Sequence, residues 1–305
     1  MNKALQLKKR GSMKRENTER VVLGTLFLFV PLAFLIVFSY YPAVRLFQLS
    51  FSDWDGLSNN FHYVGFDNYK SVARDETVMH AFRNTLAYVA MMFVQLAIAL
   101  YVAVVLDSKI RAKNFFRSVI ALPFILNGAA VVYLFTLLYD YQASPINFLL
   151  QKIGLDPIHF LPNSYALNLS LAFMGLWKGL GLGVIIFLGS LQSIPRDLYE
   201  AAEIDGASYF QAIRYISIPN ITRIIELQLF LGITGSLQAY GESLITFPTG
   251  GPGGIADTLM TRTLSIAFKY SQFGRAAAMG VMLMILILLV VGVQRMLLRR
   301  NEASE

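Results

Sequence analysis

Long apolar runs separated by short polar stretches dominate this chain. Val21 to Tyr41, Leu86 to Leu106 and Ser118 to Tyr139 contain no charged residue. Each reaches the roughly 20 residues a helix needs to cross a bilayer. Three further runs follow: Tyr165 to Gln192, interrupted only by Lys178; Ile221 to Phe247, carrying Arg223, Glu226 and Glu242; and Ala276 to Gln294, again without charge. The pattern predicts an all-α integral membrane protein with six transmembrane helices, at about 21–41, 86–106, 118–139, 165–192, 221–247 and 276–294. A basic segment precedes them at 1–20, and a short tail follows the membrane domain (21–297) at 298–305.

Composition agrees. Hydrophobic residues make up 55% and charged residues 15%, and mean hydropathy is +0.53, values far from those of a soluble domain. Basic residues are distributed unevenly: seven before residue 21, four from Lys109 to Arg117, three from Arg196 to Arg223 and three after Gln294. Eight stand on the other side, at Arg45, Lys70, Arg74, Arg83, Lys152, Arg262, Lys269 and Arg275. Because basic loops resist translocation, both termini are expected in the cytoplasm. The net charge of +7 expresses this bias and implies no nucleic-acid partner. The first run is too long for a signal peptide and leads into Pro42 without a small-residue cleavage site, so it is expected to remain as an anchor.

One segment breaks the apolar pattern. Leu198 to Pro219 is polar and carries helix signals in two places. Ser193 is placed to cap a first helix whose opening turn tolerates Pro195. That helix is expected to stop at Gly206. Ser208 and Gln211 then form a capping box for a second helix, and Pro219 marks the start of the next span. Ala201 and Ala202 leave one side of the first helix thin, while Glu200, Glu203 and Asp205 supply carboxylates for pairing.

Catalytic chemistry is not legible. The sequence has no G-x-x-x-x-G-K-[ST] phosphate loop, no G-x-S-x-G and no H-E-x-x-H. With Cys 0 it offers no thiolate site, and His62, His80 and His159 are scattered, so no metal site is expected.

Glu200-Ala201-Ala202, Asp205-Gly206-Ala207, Ile216 and Pro219 resemble the EAA loop of bacterial ABC importer permeases. The resemblance covers most of the chain from about Val21. It implies a MetI-like bundle in the bacterial cytoplasmic membrane, whose loop at 193–220 fits a socket on a separate ATPase and passes its closing motion to the membrane helices. ATPase-coupling residues would be Glu200, Ala201, Ala202, Asp205, Gly206 and Ala207. Ile213 departs from the aromatic that many members carry. Tyr63-Val64-Gly65-Phe66-Asp67-Asn68-Tyr69, Phe82-Arg83-Asn84-Thr85-Leu86, Leu176-Trp177-Lys178-Gly179 and Thr249-Gly250-Gly251-Pro252-Gly253 resemble phrases of the carbohydrate branch. The implied partners are a second homologous permease, an ATPase dimer holding ATP and Mg, an extracytoplasmic substrate-binding protein, a sugar and the lipid bilayer. The chain itself would bind no cofactor and catalyse no reaction. An importer of another solute, such as amino acids or phosphate, or an ion-coupled secondary carrier are the alternatives.

Polar groups at membrane depth face protein or water rather than lipid. The candidates for the substrate path are Asn127, Trp177, Lys178, Gln238, Tyr240 and Glu242, each open to a packing role instead. Arg223 and Glu226 are expected to pair near the cytoplasmic face. Gly175, Gly179 and Gly183 form a small-residue strip suited to close helix packing, within the subunit or against the partner permease. The stretch from Pro42 to Arg83 either docks a binding protein or covers the outer rim of the bundle.

Overall fold

The computed structural model describes residues 24–25, 27–58, 61–108, 112–160, 164–248 and 250–302. The basic segment 1–20 lies outside the described residues. Helices are α1 (Phe27–Ser50), α2 (Asp67–Arg74), α3 (Glu76–Asp107), α4 (Lys113–Ile125), α5 (Gly128–Tyr139), α6 (Pro145–Lys152), α7 (Ser164–Leu191), α8 (Arg196–Ile204), α9 (Tyr209–Asn220), α10 (Thr222–Leu237), α11 (Gly241–Thr246), α12 (Leu259–Leu264) and α13 (Phe273–Glu302). No strand is formed among the described residues beyond an isolated bridge between Ser52 and Tyr63. Among the described residues four helices are long and apolar enough to span a membrane, and the number reaches six when each of two bent pairs is taken as one span.

Three of the expected runs depart from a single straight helix. The first continues past Pro42 to Ser50, because a π turn at Ile36–Tyr40 widens the helix where proline has no amide to give. The third is broken: α4 and α5 meet at 97°. Leu126 is extended, and the Asn127 side chain accepts from the amide of Ala129 to start α5. In the fifth, the helix bends by 68° between α9 and the stretch 222–246 and is interrupted again at Gln238 to Tyr240, before the short α11.

The pair α3 and α7 forms the spine, with α4, α10 and α11 packed beside it. Toward the loop 193–220, Ala99, Ala103, Val184, Phe187, Leu191, Ile194 and Ile221 make a dry core. At the other end, Tyr88, Val131, Phe135, Tyr139, Leu167 and Leu171 make a second.

The stretch from 51 to 74 lies over the start of α13. Asn68 donates to the carbonyls of Ser50 and Ser52, the Gly274 amide donates to the Trp54 carbonyl, and the Trp54 ring packs on Phe273. A Cβ on Gly274 would overlap the Ser52 carbonyl, so glycine is required for this approach. The stretch therefore covers part of the rim, while Leu57, Tyr63 and Phe66 stay exposed on its free side.

Candidate functional site: a polar cavity and a two-helix loop

A cavity of about 530 Å³ opens between α3, α7, α10 and α11. Its polar lining comes from Tyr88 and Gln95 on α3, Gln228 and Ser236 on α10, Gln238 and Tyr240 in the helix break, and Glu242 in the first turn of α11. Gly175, Gly179 and Gly183 form its wall on α7. Each glycine faces a polar side chain. A Cβ on Gly175 would stand 3.4 Å from Glu242 Oε1, one on Gly179 2.7 Å from Gln95 Nε2, and one on Gly183 3.4 Å from Gln228 Nε2. The strip thus makes room for a row of amides and a carboxylate.

Gln238, Tyr240 and Glu242 reach this cavity as expected from their polarity. Trp177, Lys178 and Asn127 do not. At about 100° per residue, Trp177 lies on the far side of α7 from Gly175, where its ring meets Phe135 at 5.4 Å in an edge-on packing arrangement. Asn127 is occupied in starting α5. Lys178 extends toward the same break, with its Nζ 3.1 Å from the position of a Cβ on Gly128. Gln95, Gln228 and Tyr88 were not singled out in the sequence, since isolated polar residues in long apolar helices carry no periodic signal of which neighbour they face.

The mouth beyond Glu242 is held by hydrogen bonds to the backbone of 255–258. Asn84 donates to the carbonyls of Ile255 and Asp257 at 3.0 and 2.9 Å, and Asn168 donates to Ile255 at 2.8 Å. Ser243 donates to the Ala256 carbonyl, Thr258 to the Ala239 carbonyl, and the Leu259 amide to Thr85. Arg262 sits 3.9 Å from both Asp75 and Asp257, and Arg275 also pairs with Asp75. Burial alone would raise the Asp75 carboxyl, yet hydrogen bonds from Thr77 and the guanidiniums of Arg275 and Arg262 outweigh it and hold the group below its ordinary value. Burial pushes Asp257 upward, against the pull of Arg262. Thr249 lies outside the described residues.

The loop 193–220 is two helices around a glycine turn. Helix α8 ends at Ile204 with Asp205 as its C-cap, followed by Gly206, whose φ of 80° is in the left-handed region. The amides of Gly206 and Ala207 donate back to Glu203 and Ala202, which closes the helix C-terminus. The capping box at Ser208 and Gln211 is present. Ser193 does not cap α8. Its hydroxyl donates to the Ser190 carbonyl, and Pro195 holds the cap position without a side-chain bond. Tyr199 pairs with Ser217 at 2.9 Å across the two helices, and both Tyr199 and Ile216 pack on the core.

Glu200, Ala201, Asp205 and Gly206 are exposed at the turn, with Ala202 and Ala207 half-buried beneath them. Two apolar side chains flank it: Ile204 is 86% and Phe210 80% exposed. Glu200 and Glu203 also line a cleft of about 640 Å³ with Lys113, Arg117 and Arg196, yet neither makes an ion pair among the described residues. Arg223 and Glu226 likewise form none; the Glu226 carbonyl accepts from Gln294.

Residues 95–302 match the family described as binding-protein-dependent transport system inner membrane component. The chain is 31% identical over 282 residues to the multiple sugar-binding transport system permease protein MsmF of Streptococcus mutans, covering 92% of this chain and 96% of that one. It is 31% identical over 279 residues to the diacetylchitobiose uptake system permease protein NgcF of Streptomyces coelicolor, covering 87% and 79%. Its fold is similar to a chain of a bacterial alginate ABC transporter solved with a pentasaccharide-bound periplasmic protein, at TM-score 0.82, 22% identity and coverage of 94% and 97%. With an all-helical bundle of four to six candidate spans, a cavity with polar groups between its helices and this match over most of its length, the chain belongs to the binding-protein-dependent transport system inner membrane components, the permease subunits of ABC importers.

Proposed function

We propose that this chain is a transmembrane permease subunit of an ATP-driven importer for a sugar or oligosaccharide. The exposed helix–glycine–helix loop carries the reading. It is a polar, rigidly capped projection flanked by Ile204 and Phe210, joined through Tyr199, Ile216 and Ile221 to the core that α3 and α7 share. A push on such a loop moves the bundle. Relatives named for sugars and oligosaccharides support the substrate class.

In this reading both termini are cytoplasmic, supported by the basic bias of the loops on that side. ATP and Mg sit on a separate ATPase dimer, since this sequence holds no phosphate-binding loop. ATP-driven closure of that dimer displaces Glu200 to Ala207. The bundle, paired with a second permease, then turns from outward to inward access. An extracytoplasmic binding protein delivers substrate at the mouth held by Asn84 and Asn168. Gln95, Gln228, Gln238, Tyr240 and Glu242 line this chain's half of the path. Each nucleotide or substrate state shifts the equilibrium only by its differential affinity for the two conformations.

The test is the ATPase rate of the complete reconstituted importer with a panel of saccharide-loaded binding proteins, comparing wild type with Gly206→Pro and Glu200→Arg. Stimulation by one saccharide that both substitutions abolish, in complexes that still assemble, is the expected result. Stimulation that persists in both would remove the loop from the transmission route. Stimulation by an amino acid or phosphate alone would reassign the substrate.

A further inference from the structure

The polar groups of this largely apolar cavity are almost all uncharged. Gln95, Gln228 and Gln238 present amides that both donate and accept, and Tyr240 adds a phenol, a set suited to hydroxyl groups. Among its lining residues Glu242 alone is charged, and no lysine or arginine reaches it. Glu242 makes no ion pair among the described residues. Lys178 extends instead toward Gly128. The Glu242 carboxylate lies against the bare backbone of Gly175, 3.4 Å from where a Cβ would be, so no side chain of that residue stands between them.

An unneutralised carboxylate in a cleft with low-dielectric walls draws cations and repels anions over several ångströms. An anionic saccharide entering here would shed water beside a like charge and find no cation on this chain's lining to replace it. We infer that Glu242 sets the charge selectivity of the path: neutral and amino-bearing saccharides pass, whereas uronates and other anionic saccharides are turned away. This rests on the cavity being the path proposed above.

Because the chain has no cysteine, a single one at Gln238 or Gln95 reports on the cavity in the assembled importer, with cysteine-free partner subunits. The reaction rates of a trimethylammonium-bearing and a sulfonate-bearing methanethiosulfonate are compared, each normalised to a free thiol in solution. The cationic reagent is expected to be favoured by about tenfold. Glu242→Gln should cut that preference severalfold and Glu242→Lys should invert it. Equal normalised rates, a preference that Glu242→Gln leaves intact, or cysteines that neither reagent reaches would overturn the inference. A uronate oligosaccharide taken up as fast as its neutral counterpart would do the same. The reagent readout needs no substrate, so a complex that no saccharide stimulates would sink the sugar-importer reading without touching the charge effect.

Discussion

Gly181 rides on the carbonyl of Ile120: a Cβ placed on the glycine would overlap that oxygen and stand 2.9 Å from the Cα of Ala121. Here α7 meets α4 backbone to backbone, since these neighbouring atoms are all main chain. Two residues earlier, a Cβ on Gly179 meets only the end of the flexible Gln95 side chain. Gly181→Ala should therefore destabilise by about 2–3 kcal/mol, the cost of forcing two packed helices apart. Gly179→Ala should cost less than about 1 kcal/mol while altering transport through the displaced Gln95. Thermal unfolding in detergent, set beside uptake in vesicles, separates the two.

Gly206 has open space where a Cβ would go, so its requirement is conformational alone. At a φ of 80°, Gly206→Ala should cost about 1–2 kcal/mol locally and Gly206→Asn less. Ser208→Ala should remove about 1 kcal/mol by opening the capping box. Hydrogen exchange across 196–212 would show faster opening for Ala at either position, in the same order.

Asn84 gives both its amide protons to the outer loop. Asn84→Leu should cost about 2–3 kcal/mol, from two lost bonds and the Asp257 carbonyl deprived of this donor, while Ile255 keeps Asn168. Asn84→Asp should be no better, since a carboxylate accepts where donors are needed. Limited proteolysis from the side that the proposed orientation makes the outer one would find cleavage around 250–256 in both variants and not in the wild type.

Under the orientation proposed above, the external pH should act through Asp75. Its carboxyl is held below the ordinary value of 3.8, so its contribution is complete above that value and is lost as pH falls through the depressed one. Asp257, pushed upward by burial, works the other way: ionising it costs stability as pH rises from 3.8 through its raised value. Asp75→Asn should lower the melting temperature at pH 7 and flatten its decline below about pH 4. A decline as steep as that of the wild type would place the acid sensitivity elsewhere.

Runs of apolar residues were enough to read six crossings and a helical bundle, because burial in lipid acts on composition averaged over a whole segment. Backbone events inside those segments escaped the average. Pro123 and the pair Asn127-Gly128 carried the signal for the break in the third span, but a charge-free run from Ser118 to Tyr139 masks it. The two-helix loop was legible residue by residue, since capping and left-handed glycine are local chemistry. Only Ser193 misled, because its hydroxyl had a nearer carbonyl at Ser190. The cavity was half legible. Gln238, Tyr240 and Glu242 stand where the helix is interrupted, whereas Gln95 and Gln228 acquire meaning only when α3 and α10 are set against α7. The glycines at 175, 179 and 183 were visible as a strip, yet the tight helix crossing falls at Gly181.

Asn84 and Asn168, one from α3 and one from α7, donate to the same oxygen, the Ile255 carbonyl. One atom thereby rivets two long helices and the outer rim together. If the outer ends of α3 and α7 drew apart, one of the two bonds would have to stretch first. The rim, α3 and α7 should thus travel as a single block during transport. Thr258 and Ser243 tie the rim to Ala239 and to α11 as well, so the sliding joint must run along α10 before the break, where no such rivet crosses to α7 among the described residues.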